Sequence, residues 1–391
     1  KGGRIGEDHG ASPWAFPRVA VGGPLRLEGG VPPIPQDLLA QRVLLNGLTG
    51  VGPVTVRRLR EAFGPDLARA LEAPVERLRQ VRGVSASAAR AVAERRFDWR
   101  KELDEAAARG FRIASPEDAD WPAELSRLWD PPLLLYMEGT ALPDARAVAV
   151  IGSRRCTPYG AALARAFARD LARAGWWVVS GLARGVDAAA HEGALEGGGR
   201  TAAVLGHGLD LTYPPEAAPL RRRMAESGCV LSEFPIGRPA DRQSFPQRNR
   251  IVAGLTRAVV VIETDVDGGS MITARFAADL GRTVCAVPGR ADSPSSRGCH
   301  TLIRDGAVLV SSTDEVLEEL GERGVQPELT LPEDPPEHAR WLRHFGGGTA
   351  HDADTLSEAA RCPTPEAAVM LTLLEIRGVL RRRPDGRHER V

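Results

Sequence analysis

The chain has 391 residues, 43% of them hydrophobic, with 51 Lys+Arg against 51 Asp+Glu and a formal net charge of zero. Such a length holds two or three globular domains; there is no global basic field to draw in nucleic acid, and no apolar run nears the roughly 18 residues of a membrane span. The five cysteines are scattered without a CxxC pair, which argues against a disulfide framework or structural zinc site and points to a reducing cytoplasm.

Residues 1–35 are rich in Gly and Pro and have no apolar h-region, so the expectation is a disordered arm rather than a signal peptide. Residues 36–105 predict a small helical domain. Within it, "LTGVGPVTVRRLREAFG" (48–64) and "VRGVSASAARAVAERR" (81–96) repeat one pattern, with Gly50 and Gly83 aligned at a turn before an amphipathic helix. This is the helix-hairpin-helix (SAM-like) pattern, whose turn amides can hold a DNA phosphate. The second copy carries Ser85 where the pattern wants glycine, and a tandem that only packs is the alternative.

Residues 106–322 change rhythm to short β-branched runs: "AVAVI" (147–151), "WWVVS" (176–180), "TAAVL" (201–205), "CVLSE" (229–233), "AVVVIE" (258–263), "TVCAV" (283–287) and "AVLV" (307–310). Separated by helical segments, they predict an α/β domain with an extended Rossmann-like, doubly wound, mostly parallel sheet. Ligands in such sheets gather at the carboxyl ends of the strands. Residues 323–336 read as a Pro- and acid-rich linker, and 337–391 as a winged-helix unit with a hairpin turning on Asp385-Gly386.

Three strand-end loops share one chemistry. The first supplies Gly152, Ser153, Arg154 and Arg155; the second Ser180, Gly181, Arg184 and Gly185; the third Gly268, Gly269 and Ser270. Small residues let backbone approach a ligand, and helix N-termini offer free amides to an anion, so together they predict a polyanion site. "SFPQRNR" (244–250) falls between two predicted strands and belongs on the same rim. There Arg248 and Arg250 can neutralise phosphates, Asn249 can bond a base edge or brace a loop, and Phe245 offers a face for base stacking. The competing expectation puts Phe245 in the core and the arginines in salt bridges.

Other functions fit less well. All basic residues but Lys1 and Lys101 are arginines, and neither lysine lies in a Gly-Lys-Ser/Thr step, so a P-loop ATPase is excluded. "GSRRCTPYG" lacks the G-x-G-x-x-G of dinucleotide sites. Asp187, His191, Glu233 and Glu263 could serve a nucleotide-hydrolysing enzyme as acid and base. Roles as helix cap, helix-face residue or loop brace compete for them, and no nucleophile–base pair or metal-ligand spacing appears.

"VAVIGSRRCTPYG", "SGLARGVDAAAH", "FPQRNRIVAGL", "GGSMITARFAADLGRTVCAVPG" and "LIRDGA" resemble, in order over about 112–312, the signature blocks of the DNA-processing protein A (DprA, or Smf) family. The resemblance implies a non-enzymatic, ATP-independent, cofactor-free protein that binds single-stranded DNA in natural transformation, loads the recombinase RecA and typically dimerises. It implies DNA contacts at Arg154, Ser180, Gly181, Phe245, Arg248, Asn249 and Arg250, and more loosely at Arg242. Duplex contact through 36–105 or 337–391 stays open, as does a nucleoside monophosphate hydrolase of related fold. The chain departs from the family at His300, where asparagine is usual.

Overall fold

The structure, a computed structural model, describes residues 32–241, 243–322, 336–345, 349–376, 379–383 and 385–390. Most of the arm, the linker up to residue 335 and Arg242 thus lie outside the described residues. Residues 32–35 are held: the carbonyls of Pro32 and Pro35 accept from Arg95 Nε and Gln41 Nε2 at 3.1 and 2.9 Å. Described residues up to Glu322 form one compact unit, and those beyond it a second. Among them no helix is long and apolar enough to cross a membrane.

The first unit opens with helices α1 (Leu38–Gly47), α2 (Pro53–Phe63), α3 (Leu67–Glu72), α4 (Val75–Gln80), α5 (Ala86–Glu94) and α6 (Trp99–Ala108). Their apolar stripes close on a core that includes Leu44, Leu59, Leu71, Leu78 and Val92. The two predicted turns have one backbone form: Val51 N donates to Leu48 O and Val84 N to Val81 O. Gly50 and Gly83 take φ of 78° and 79°, a left-handed region that favours glycine. Ser85 accepts from Ala88 N at 3.1 Å and so caps α5.

Next come β1 (Arg112–Ala114), α7 (Ala123–Ser126), β2 (Leu135–Gly139), β3 (Ala147–Ile151), α8 (Pro158–Arg173), β4 (Trp177–Ser180), α9 (Val186–Glu196), β5 (Thr201–Leu205), α10 (Ala218–Ser227) and β6 (Cys229–Ser232). They are followed by α11 (Ser244–Gly254), β7 (Ala258–Val261), α12 (Gly269–Asp279), β8 (Thr283–Ala286), α13 (Arg297–Arg304), β9 (Val308–Leu309) and α14 (Thr313–Glu319). The sheet order is β1-β2-β6-β5-β4-β3-β7-β8-β9. Strands β3 to β9 run parallel, and the antiparallel strands β1 and β2 at one end of the sheet are additions to the predicted set. Alternate residues of the buried strands serve opposite faces. Ala149 and Val261 meet α11, α12 and α13, whereas Val150 and Val260 meet α8, α9 and α14. The winding reverses between β3 and β7, and a crevice opens at that switch point, beyond the strands' carboxyl ends.

The second unit contains α15 (Pro336–Leu342), β10 (Ala350–His351), α16 (Ala353–Ala360), α17 (Thr364–Ile376), β11 (Leu380–Arg382) and β12 (His388–Arg390). Its three-stranded sheet has the order β10-β12-β11, with a hairpin turning at Gly386 (φ 87°). Trp341, Leu356, Leu371 and Leu374 form its core, which gives a winged-helix unit. Two of the basic wing residues, Arg381 and Arg383, reach Glu389.

Candidate nucleic-acid interface

A cleft of about 660 Å³ lies at the switch point. Gly152, Ser153, Arg154 and Arg155 after β3, Gly181 after β4, Phe245, Arg248 and Asn249 of α11, and Gly268, Gly269 and Ser270 at the start of α12 all line it. Glycine is needed at two of these places by close approach: a Cβ on Gly181 would strike the Arg248 guanidinium, and one on Gly152 would strike Val186 and Glu263 O.

"SFPQRNR" is the first turns of a helix, which corrects the expectation for its arginines. At 100° per residue, Arg248 and Arg250 point about 200° apart. Arg250 leaves the cleft. It is 4% exposed, and its Nε and Nη2 bond Asp130 and Glu233 at 2.9 and 2.6 Å. Burial opposes its charge, but the two carboxylates outweigh burial and hold it above the ordinary value. Arg248 faces the cleft floor. Its Nη1 donates to Gly181 O at 2.7 Å and also to Val204 O, and its Nε to Asn249 Oδ1 at 3.0 Å. It makes no ion pair within 4 Å among the described residues, and burial lowers its pKa to about 10, with Asp187 opposing the shift. Asn249 Nδ2 lies 3.4 Å from Gly269 O and so braces α12.

Phe245 belongs to none of the apolar core clusters. Its half-buried ring lies under the Arg154 guanidinium at 4.7 Å, a cation–π contact, and 6.2 Å from the exposed ring of Tyr213. Arg154 and Arg155 are exposed beside it.

The helix termini differ from the expected set of free amides. At α8, Thr157 N and Oγ1 donate to Glu263 at 2.8 and 2.6 Å, and Thr157 in turn accepts from Gly160 N. At α9, Val186 N donates to Ser153 O at 3.2 Å. The N-terminus of α12, preceded by Gly268, has no side-chain cap and is the one suited to an anion. Ser270 Oγ turns inward to Thr264 Oγ1 at 2.6 Å. Asp265 and Asp267, exposed just before that terminus, put negative charge on the rim across from Arg154 and Arg155.

Two predicted residues lie beneath the cleft. Ser180 is fully buried, its hydroxyl donating to Val150 O at 2.8 Å, so it ties strands together instead of meeting a ligand. Gly185 (φ 80°) brings the second loop against the first, where a Cβ would strike Ser153 O and the Arg154 backbone. Gly185→Ala should therefore lower stability by about 1–3 kcal/mol in urea unfolding, and an unchanged midpoint would contradict this packing. Arg184 lies in a neighbouring hollow, paired with Glu216.

The groups considered as acids or bases hold the architecture. Asp187 accepts from Gly181 N at 3.1 Å, and burial raises its pKa. His191 Nε2 accepts from Leu182 N at 3.3 Å while its Nδ1 meets Thr201 Oγ1 at 2.7 Å, and burial pushes the ring down to about 3. That neutral imidazole holds Leu182 at φ 54°. Glu233 pairs with Arg250. His300 Nε2 lies 3.0 Å from Gly289 O, away from the cleft lining.

Sequence reasoning missed a fourth rim loop, "LGHGLDLTYPP" (205–215), which brings Gly206, His207 and Tyr213 beside Phe245. Its signal was present: two glycines at the end of a predicted strand. A Cβ on Gly206 would press on the Phe245 ring.

The pattern of the DNA recombination-mediator protein A family matches residues 112–321, and that of the DprA winged helix domain matches 325–386. Protein Smf of Synechocystis is 37% identical over 279 residues, covering 70% of each chain. Protein Smf of Escherichia coli is 37% identical over 288 residues, covering 69% of this chain and 75% of its own. The X-ray structure of DNA processing protein A from Streptococcus pneumoniae superposes with a TM-score of 0.59 at 35% identity, covering 71% of this chain and 95% of that one.

Proposed function

The chain belongs to the DNA recombination-mediator protein A family, and on that premise we propose that it binds single-stranded DNA across the switch-point cleft, protects the strand and loads RecA onto it. One observation carries the reading: an aromatic ring outside the core, Phe245, sits among Arg154, Arg155 and Arg248, facing an uncapped helix N-terminus. Arginines and amides suit the sugar-phosphate backbone, and the ring suits an unpaired base, which duplex DNA keeps stacked within itself. The protein acts in the cytoplasm as a homodimer, by binding rather than catalysis and without ATP. Asp187, His191, Glu233 and Glu263 support the non-catalytic reading, since each is engaged in holding loops or helices. Any weak duplex contact would run through the helical unit or the winged-helix unit.

The test is a titration of single-stranded and duplex oligonucleotides at several salt concentrations. Three or four arginine–phosphate contacts predict a log K against log salt slope of about −2 to −3, at about 0.7 per contact. A slope near zero, or tighter binding of duplex, would overturn the reading. Release of free base from nucleoside monophosphates would replace it with the hydrolase alternative.

A further inference from the structure

Phe245 borders three hollows, and their linings change character along the rim. The switch-point cleft is lined by arginines and a helix N-terminus. A second hollow of about 250 Å³, sharing Arg154, Arg155 and Phe245 with it, extends to His207 and Tyr213. A third, of about 480 Å³, lies beyond; its described lining residues are Leu211, Thr212, Tyr213, Pro239, Ala240 and Asp241 around Phe245 and His207, with no arginine among them. Asp241 would repel a phosphate there, although its carboxylate already serves Gln243 N, Ser244 N and Arg238. Burial holds His207 below its ordinary pKa, which favours the uncharged ring there. With Leu211, Pro239 and Ala240 beside the two rings and no arginine among its described lining residues, this hollow at the end of an arginine-lined track suits a base more than a backbone.

We propose that Tyr213 is a second base-stacking platform, which receives in this third hollow the nucleobase next to the one on Phe245. This rests on the single-stranded DNA reading above. Tyr213 is 47% exposed, and its ring is tilted by 46° to that of Phe245 at 6.2 Å. One face of Phe245 carries Arg154, so the Tyr213 side is where its stack continues. Successive bases on successive rings give affinity without sequence readout, because every base has a π-face.

The experiment compares the wild type with Tyr213→Ala, Tyr213→Phe and Phe245→Ala, titrated with oligo-dT of increasing length. Tyr213→Ala should weaken oligonucleotides long enough to reach the third hollow by about 10-fold or more, the worth of one stacked base. It should leave the shortest binding oligonucleotide, the salt slope and the thermal midpoint unchanged. Tyr213→Phe should bind as the wild type. If Tyr213→Ala matches the wild type at every length while Phe245→Ala is weakened, the second platform is wrong and the cleft reading stands. If neither variant is weakened, or the wild type does not bind oligo-dT, both fall. Equal weakening by Tyr213→Phe and Tyr213→Ala would also overturn stacking, in favour of a hydroxyl contact.

Discussion

Arg250→Ala should lower stability by about 3–5 kcal/mol and leave single-stranded DNA affinity nearly intact. The guanidinium is 4% exposed and pairs with Glu233, whose side chain is 7% exposed, and with Asp130. Removing it strands the Glu233 carboxylate in a low-dielectric site, and breaking a buried pair from one side costs about that much. For a unit of this size the thermal midpoint should fall on the order of 10 °C. The same pair links elements: Asn46 of α1 donates to Glu233 O at 2.9 Å, so α11 is braced through it to the helical part of the unit. Adding Glu233→Gln should recover part of the loss, because the stranded charge is gone. An unchanged midpoint with weakened, less salt-dependent binding would put Arg250 on the DNA after all.

The two arginines show how far the sequence could be read. Composition and position place a basic cluster at the carboxyl edge of the sheet, and Arg154, Arg155 and Arg248 line the cleft there. Assigning both arginines to phosphate requires an extended loop. Once residues 244–254 are a helix, the residue between them turns their side chains apart, and only one can face the cleft. The acidic partners that claim Arg250, Asp130 and Glu233, are 120 and 17 residues away in sequence, so no local pattern announces them.

The same distinction runs through the fold. Runs such as "AVAVI" and "TAAVL", buried at every position, announce central parallel strands. The antiparallel strands β1 and β2 at one end of the sheet are a three-residue segment opening on half-buried Arg112 and "LYMEG", which closes on Glu138 and Gly139, and they carry no such signal. Glycines after strands mark the rim loops. Which helix N-terminus stays open depends on caps contributed across the crevice by Glu263 and Ser153, which only the assembled sheet brings into place.

Arg248→Ala should fail in the opposite way to Arg250→Ala, at the ligand. Arg248 lies buried at the floor of the cleft, bonded to neutral carbonyls and Asn249, with no ion pair among the described residues. Burial and Arg154 both work against its charge, which only Asp187 supports. A phosphate at the floor would complete it, and a hydrogen bond to such a charged group is worth about 1.5–3 kcal/mol. Affinity for single strands should therefore fall by about 10- to 100-fold, and the salt slope should flatten by about 0.7. The midpoint should move less than in Arg250→Ala, because losing two carbonyl contacts is partly offset by no longer burying a poorly paired charge. Arg248→Lys separates charge from geometry. An ammonium keeps the counterion-releasing contact, and so the slope, but cannot span Gly181 O, Val204 O and a phosphate at once as the planar fork can. Its affinity should fall between wild type and alanine. If Arg248→Ala binds as the wild type with an unaltered slope, Arg248 is a strut for the Gly181 loop, and the phosphates rest on Arg154, Arg155 and the N-terminus of α12 alone.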